Sequence, residues 1–155
     1  MITPGTQTST VVQTRAVSED VVRATTAPAA PGRVWEVLPA AYEELRLPVT
    51  MRADAQRQLG SQGRRVRGSI GGTRMSLMFS CGVGATGGDA ADSYELTIDV
   101  VSQVVAGPTP NESLVRTMAS GIAKPVMTSG EPVRCVSSGR LEEKVAAAVA
   151  KRLAS

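Results

Sequence analysis

The longest alternation of apolar and polar positions runs from residue 94 to residue 105. A period of two places every second side chain on the same face of a β-strand, so this segment predicts a strand with Leu96, Ile98 and Val100 on its buried face. Residues 114–126 alternate in the same way after a turn at residues 107–111, which contains Pro108 and Pro110. They predict the returning strand of an antiparallel pair.

Two segments have the helical period instead. In residues 31–46 one face carries Val34, Trp35, Leu38, Ala41, Tyr42 and Leu45. Pro39 lies inside this segment and cannot donate a backbone hydrogen bond, which predicts a kink or a break into two short helices. The last helix is predicted over residues 140–153, with Ser138 as its N-cap and with Leu141, Val145, Ala148, Val149 and Leu153 on one face.

Shorter strand-like segments account for most of the remaining chain. Residues 21–25 predict a first strand, and residues 51–59 and 64–70 predict a hairpin whose turn lies at residues 59–63. Gly71-Gly72 separates this hairpin from the apolar residues 75–79, which could form either a helix or a strand. The predicted order of elements is therefore β-α-β-β-(short)-β-β-α.

This order predicts an α+β fold in which two helices grip an antiparallel sheet, because each amphipathic helix must cover an apolar face. Residues 1–18 are rich in Thr, Ser and Gln and are expected to form a flexible leader. Residues 19–155 are expected to form one domain. No run approaches the roughly 20 apolar residues of a transmembrane helix, and residues 1–5 lack the basic start of a signal peptide.

The cysteines Cys81 and Cys135 are the only two in a chain that has no histidine. Such an isolated pair predicts one disulfide, which would join the middle of the fold to the start of the last helix. A disulfide would also brace a core in which aromatic residues make up only 3% of the chain. It would imply an oxidising compartment and an export signal that has been removed. The alternative is a cytosolic protein with two free thiols.

Residues 20–70 carry a resemblance to a known family. Val34-Trp35 is followed by Leu38, Ala41-Tyr42, Leu45 and Pro48-Val49, and then by Asp54 and Leu59-Gly60. This pattern resembles the opening of helix-grip domains in the BamC/NlpB class of outer-membrane lipoproteins. The resemblance implies a periplasmic or outer-membrane-associated location and a scaffolding or binding role rather than catalysis. The segments around Cys81 and Cys135 lie outside the pattern and resemble a separate family of exported bacterial proteins. No cysteine near the N-terminus marks a site of lipid attachment.

The net charge of +3 is only mildly basic. The densest basic cluster is formed by Arg64, Arg65, Arg67 and Arg74, which are a candidate patch for an anion or a partner. The alternative is a solvent-facing strand that charge keeps soluble. No aromatic residues accompany the cluster, so base stacking and nucleic-acid binding are not expected.

Catalytic chemistry has few candidate residues, because a chain without histidine lacks the usual general base. No catalytic residue, metal or cofactor is expected. Residues 82–87 match the G-x-G-x-x-G pattern, but the glycine that follows is a poor helix start, so a loop is expected. Asp89 and Asp92 are too few for a Ca²⁺ site, and the pair Glu142-Glu143 is expected on a solvated helix face.

Three functional hypotheses follow. The first is a non-catalytic exported domain that binds an envelope protein or a cell-wall component. The second is a carrier of a small apolar ligand, in a cavity between sheet and last helix that is lined by Met78, Leu96, Ile98, Val145 and Val149. The third and most remote is a hydrolase that uses carboxylates.

Overall fold

The computed structural model describes residues 21–84, 87–126 and 129–155. The leader expected at residues 1–18 lies outside the described residues. In chain order the elements are β1 (Arg23–Ala27), α1 (Pro31–Glu44), β2 (Met51–Ala53), β3 (Gln58–Arg67), β4 (Ser69–Ile70), β5 (Thr73–Arg74), α2 (Met75–Met78), β6 (Phe79–Ser80), α3 (Ala90–Ser93), β7 (Glu95–Ala106), β8 (Ser113–Lys124), β9 (Val133–Ser137) and α4 (Arg140–Ala154). Among the described residues, no helix has both the length and the apolar composition needed to span a bilayer.

The main sheet has seven antiparallel strands in the order β2-β3-β7-β8-β9-β6, and β1 also pairs with β8. One edge of β8 pairs with β7 along its whole length, from Ser113 to Lys124. The other edge is shared, because β1 pairs with residues 113–117 and β9 pairs with residues 121–123. The strands β4 and β5 form a separate small hairpin.

Both long helices pack on the same face of this sheet. In β7 the side chains of Leu96, Ile98 and Val100 are buried, whereas Thr97 and Asp99 are exposed, as the alternation predicts. The buried residues of α1, α4, β7 and β8 belong to one core, and the two helices also contact each other. The predicted α+β fold, an antiparallel sheet gripped by two helices, is confirmed.

The helix α1 continues through Pro39 without a break. Val34 and Leu38 precede the proline and Ala41 and Tyr42 follow it, and all four are completely buried. Packing of both halves on the sheet therefore offsets the one hydrogen bond that proline cannot make. The predicted break into two short helices is wrong.

The first hairpin turns earlier than predicted. A 3₁₀ turn at Asp54–Gln56, followed by Arg57 at φ 49°, joins β2 to β3, and residues 59–63 lie inside β3. Gly60 is needed there because a Cβ atom would lie 2.7 Å from the Val100 carbonyl oxygen of the neighbouring strand. The predicted turn at residues 59–63 is wrong, since this glycine permits a close approach of strands and not a reversal of the chain.

The segment before the last helix also differs from the prediction. The strand β9 was not predicted, and the apolar residues 75–79 form α2 and then enter β6. Gly139, at φ 93°, occupies the N-cap of α4 in place of Ser138. The Ser138 hydroxyl instead donates to the Leu77 carbonyl oxygen at 2.8 Å, which fastens the start of α4 to α2.

The predicted disulfide between Cys81 and Cys135 is confirmed, with Cα atoms 4.3 Å apart. The strands β6 and β9 pair Phe79 with Ser137 and Ser80 with Val136, so the cysteines are the next two residues in the same register. The bond ties a strand of only two residues to β9, which leads directly into α4. A disulfide is compatible with an oxidising, exported location.

Replacing both cysteines by serine should lower the free energy of unfolding by about 4 kcal/mol, because the bond closes a segment with a sequence separation of 54. Urea denaturation followed by the fluorescence of Trp35, the only tryptophan, measures this loss. The wild-type chain under reducing conditions serves as the control and should unfold like the double variant. A double variant with the urea midpoint of the oxidised wild type would contradict the expectation.

Candidate binding face of the sheet

The face of the sheet that points away from α1 and α4 is uncovered in the part of the chain that the structure describes. Its residues are the ones that alternate with the core positions, and they are half-buried or exposed. We call this surface the open face. On β3, β7, β8 and β9 its side chains are those of Arg65, Arg67, Glu95, Thr97, Asp99, Val101, Gln103, Val105, Leu114, Arg116, Met118, Ser120, Ile122, Lys124, Arg134 and Val136.

Apolar side chains recur along the open face, and rows of polar residues such as Gln103 opposite Arg116 separate them. Val101 lies directly opposite Met118, and Val105 lies opposite Leu114, on the paired strands β7 and β8. Ile122 and Val136 are 47% and 42% exposed. We call these residues (Val101, Val105, Leu114, Met118, Ile122 and Val136) the apolar stripe. An uncovered sheet face that carries several partly exposed apolar residues is a candidate interaction site.

Positive charge lies beside and between the apolar residues of the stripe. Arg65 lies opposite Thr97, and Arg67 lies opposite Glu95, so two residues of the predicted basic cluster are on the open face. The open face has five cations, Arg65, Arg67, Arg116, Lys124 and Arg134, and two carboxylates, Glu95 and Asp99. One oxygen of Asp99 already accepts a hydrogen bond from the Gly63 N–H at 2.7 Å. The surface therefore favours an acidic partner.

The other two arginines of the predicted cluster lie elsewhere. Arg64 is opposite the buried Ile98, and its Nε donates to the Arg46 carbonyl oxygen at 3.0 Å on the helix side of the sheet. Arg74 pairs with Asp92 at 2.9 Å. Partial burial tends to raise the pKa of Asp92, but hydrogen bonds from Ser76 and Arg74 outweigh it and hold that pKa below its ordinary range. The structure thus brings Arg65 and Arg67 together and separates Arg64 and Arg74 from them.

The five residues predicted to line a ligand cavity are all in the packed core. Met78, Leu96, Ile98, Val145 and Val149 are each at most 1% exposed. Each of these side chains is packed against other protein atoms, so no ligand-sized space adjoins them in this conformation. A crevice beside Val149, between β1 and α4, has a volume of about 10 Å³, roughly the space for one water molecule.

One buried charged site is not evident from the sequence pattern. Glu142, in the first turn of α4, is only 3% exposed, although a solvated face was expected for it. The Ser137 hydroxyl lies 2.8 Å from each oxygen of this carboxylate and donates to it, and the Nε of Arg23 is 3.7 Å away. A Cβ atom at Gly139 would lie 2.7 Å from the Arg23 guanidinium carbon, so a glycine is required for Arg23 to approach. We call these residues (Arg23, Ser137, Gly139 and Glu142) the Glu142 clasp.

The Glu142 clasp connects three elements, β1, β9 and α4. Burial raises the pKa of Glu142, while the hydrogen bond from Ser137 and the charge of Arg23 act in the opposite direction. The Ser137 oxygen also accepts a hydrogen bond from the Gly139 N–H at 3.1 Å. The Ser137 hydroxyl thus donates one hydrogen bond and accepts another within the clasp. Its role is therefore structural, and it is not poised as a nucleophile.

A second buried polar group joins α1 to the sheet. The Tyr42 hydroxyl is 2.7 Å from the Ser102 hydroxyl, which is 2.8 Å from the Thr117 hydroxyl. Burial raises the pKa of Tyr42 far above its ordinary value, against the opposing effect of the hydrogen bond to Ser102. This chain of hydroxyls lies in the core and is closed to solvent.

Of the loop motifs, residues 82–87 lie partly outside the described residues. Asp89 precedes α3, and Asp92 is bound to Arg74 and to the Ser76 N–H. Among the described residues no group of three or more acidic or sulfur side chains is placed to hold a metal ion.

Replacing Glu142 by glutamine should make the variant progressively more stable relative to the wild type as the pH rises from about 4 to 7. With a raised pKa, folded Glu142 retains a proton that the unfolded chain has released. Its favourable contribution to folding is therefore present at low pH and is lost as the pH rises through the raised pKa. Urea denaturation at several pH values measures the difference in the free energy of unfolding.

The exposed neighbour Glu143, replaced by glutamine, is the matched control for that measurement. A difference between the Glu142→Gln variant and the wild type that stays constant or shrinks as the pH rises would contradict the expectation.

Comparisons with known proteins give one structural likeness. No protein-family model matches the chain, and no curated protein matches it. The solved structure of truncated norcoclaurine synthase from Thalictrum flavum is similar, with a TM-score of 0.42 and 9% sequence identity, over 92% of this chain and 97% of that one. Because both the structural and the sequence similarity are low, no property of that enzyme is transferred to this chain.

Proposed function

We propose that this chain is a non-catalytic, exported domain of the cell envelope that binds an acidic protein on its open face. The observation that carries the proposal is the combination on one uncovered surface of the apolar stripe with five cations and two carboxylates. The apolar residues supply area to bury, and the surplus of cations selects the charge of the partner.

The dimensions of the open face suit a protein interface. The strands β7 and β8 have 12 residues each and are therefore about 40 Å long. Together with β3 and β9 they form a surface about 15 Å wide, so the face offers on the order of 600 Å². Specific interfaces bury roughly 600–1,000 Å² on each partner, so the open face lies at the lower end of that range.

The side chains of the apolar stripe favour a protein over a lipid surface. All six residues of the stripe are aliphatic or methionine, and none is aromatic. Tryptophan and tyrosine are the residues that anchor proteins at the interface between membrane and water. A flat, aliphatic sheet face with charged neighbours is suited to packing against another folded surface.

Two observations support the envelope location. The disulfide between Cys81 and Cys135 is of a kind that persists in oxidising compartments. The resemblance of residues 20–70 to the BamC/NlpB class implies the same location and a binding role. Neither feature names the partner, which the proposal identifies only by its negative charge and its apolar contact surface.

The other two hypotheses receive less support from the structure. A ligand carrier would require the core to open, since Leu96, Ile98 and Val145 have no exposed surface. A carboxylate hydrolase would require an acid that faces a cleft, whereas the buried Glu142 is bound by Ser137 and Arg23.

A photoreactive amino acid in place of Thr97 or Ile122, on the open face, should give one discrete cross-linked protein in cells that produce the chain. The same amino acid in place of Glu36 or Ala147, which are exposed on α1 and α4, should not give this product. Gel electrophoresis and mass spectrometry of the adducts provide the readout.

Charge reversal tests the electrostatic part of the proposal. Arg65→Glu together with Arg67→Glu should remove most of the adduct formed from Ile122, because both arginines lie on the open face. Arg33→Glu, an exposed site on α1, is the matched control and should leave the adduct unchanged. The proposal fails if the two faces give equal adducts, or if the reversal on α1 weakens cross-linking as much as the reversal on β3.

A further inference from the structure

The strand β1 has few side-chain contacts with the core. Of its five residues only Ala27 is buried, and the other four are exposed. The strand is attached to β8 by a ladder that pairs Arg23 with Thr117 at one end and Ala27 with Ser113 at the other. Its attachment therefore depends on backbone hydrogen bonds more than on buried apolar area.

In the part of the chain that the structure describes, no other strand pairs with the segment of β8 that β1 covers. The strand β9 pairs only with residues 121–123 of β8, so residues 113–117 would become a free edge if β1 moved away. A free edge presents unpaired N–H and C=O groups and accepts another strand. The sequence of β1 already fits this edge in register.

The connection between β1 and α1 is short and contains proline. Only residues 28–30 separate the two elements, with Pro28 at the start and Pro31 as the first residue of α1. In the closed form Ala29 is held by its N–H bond to the Ala27 carbonyl oxygen, at 2.9 Å, and by the Ser113 hydroxyl, which donates to its carbonyl oxygen at 2.6 Å. Proline favours extended backbone in the residue before it, here Ala27 and Ala30, so an opened connection remains extended.

The Glu142 clasp is the main side-chain contact at the other end of β1. Arg23 reaches Glu142 across the glycine at position 139, and its side chain is 42% exposed. Release of the strand therefore requires the loss of this ion pair and of the ladder, and the exposure of Ala27.

We propose that β1 exchanges between two copies of this chain, with the β1 of each copy pairing with residues 113–117 of the other. A second copy is the partner that fits, because its β1 has the same five residues and its Arg23 can enter the same Glu142 clasp. The exchanged dimer repeats the contacts that β1 makes in the closed monomer, and the contacts that change are those of the connection at residues 28–30. This contact uses the edge of β8 and leaves the open face available, so it is independent of the proposed function.

The test mixes two isotopic forms of the full chain. One form has natural isotopes and the substitution Ala24→p-benzoylphenylalanine, and the other is unsubstituted and labelled with ¹⁵N. Ala24 is exposed and lies opposite Arg116, so the substitution preserves the core. The mixture is incubated under native conditions, or refolded together from urea with the disulfide intact, and then irradiated.

Exchange predicts adducts between position 24 of the unlabelled form and residues 115–117 of the ¹⁵N-labelled form. The same photoreactive residue at Glu36, on α1, is the control and should give no such adduct. Arg23→Ala in both forms should accelerate formation of the mixed adduct roughly fivefold, the factor that corresponds to about 1 kcal/mol. The proposal is overturned if position 24 gives adducts only within its own chain after both treatments.

Light scattering of the unsubstituted chain provides a second readout. Refolding at high protein concentration should yield a dimer that persists after dilution, since its return to monomer requires β1 to detach. A chain that is monomeric at every concentration after refolding would also overturn the proposal.

Discussion

The architecture depends on one constraint, which is that both long helices lie on the same face of the seven-stranded sheet. The long strands β7 and β8 therefore each have one row of side chains in the core and one row outside it. The inner row supplies Leu96, Ile98 and Val100 to a core that α1 and α4 complete. The outer row remains as the open face, and the apolar residues within it are the reason to assign that face a binding role.

The corner at which β9 leads into α4 is held by specific bonds in addition to packed side chains such as Phe79. Few aromatic residues are available, and only Tyr42 and Phe79 are among the largest fully buried side chains of the described residues. At this corner the disulfide fastens β6 to β9, and the Glu142 clasp fastens β1 and β9 to α4. Such bonds are sensitive to reduction and to pH in a way that an aromatic core is not.

Sequence patterns identified the long regular elements and missed the features that depend on distant contacts. The strands β7 and β8 were predictable because 12 residues of alternation leave little ambiguity. Gly60 was misread because its role depends on the backbone of Val100, which belongs to another strand. The strand β9 is short, and it is defined by pairing with β8 and β6 and not by its own pattern.

The candidate site was predictable only in part. The cluster that contains Arg65 and Arg67 is visible in the sequence, but their alignment with Arg116, Lys124 and Arg134 requires the register of four strands. The burial of Glu142 likewise depends on Arg23, at the other end of the chain. Local sequence patterns cannot predict the alignment of these cations or the burial of Glu142, because both depend on the topology of the sheet.

The central claim is that the open face is covered by a partner in the native setting. The three lysines of the chain allow a direct test, since Lys124 lies on the open face and Lys144 and Lys151 lie on α4. A small amine-acylating reagent is applied to intact cells and, separately, to the purified protein, and the modification of each lysine is measured by mass spectrometry. If a partner covers the open face, Lys124 is protected in cells relative to the purified protein, whereas Lys144 and Lys151 react equally in both. Equal modification of Lys124 in the two settings would contradict the claim.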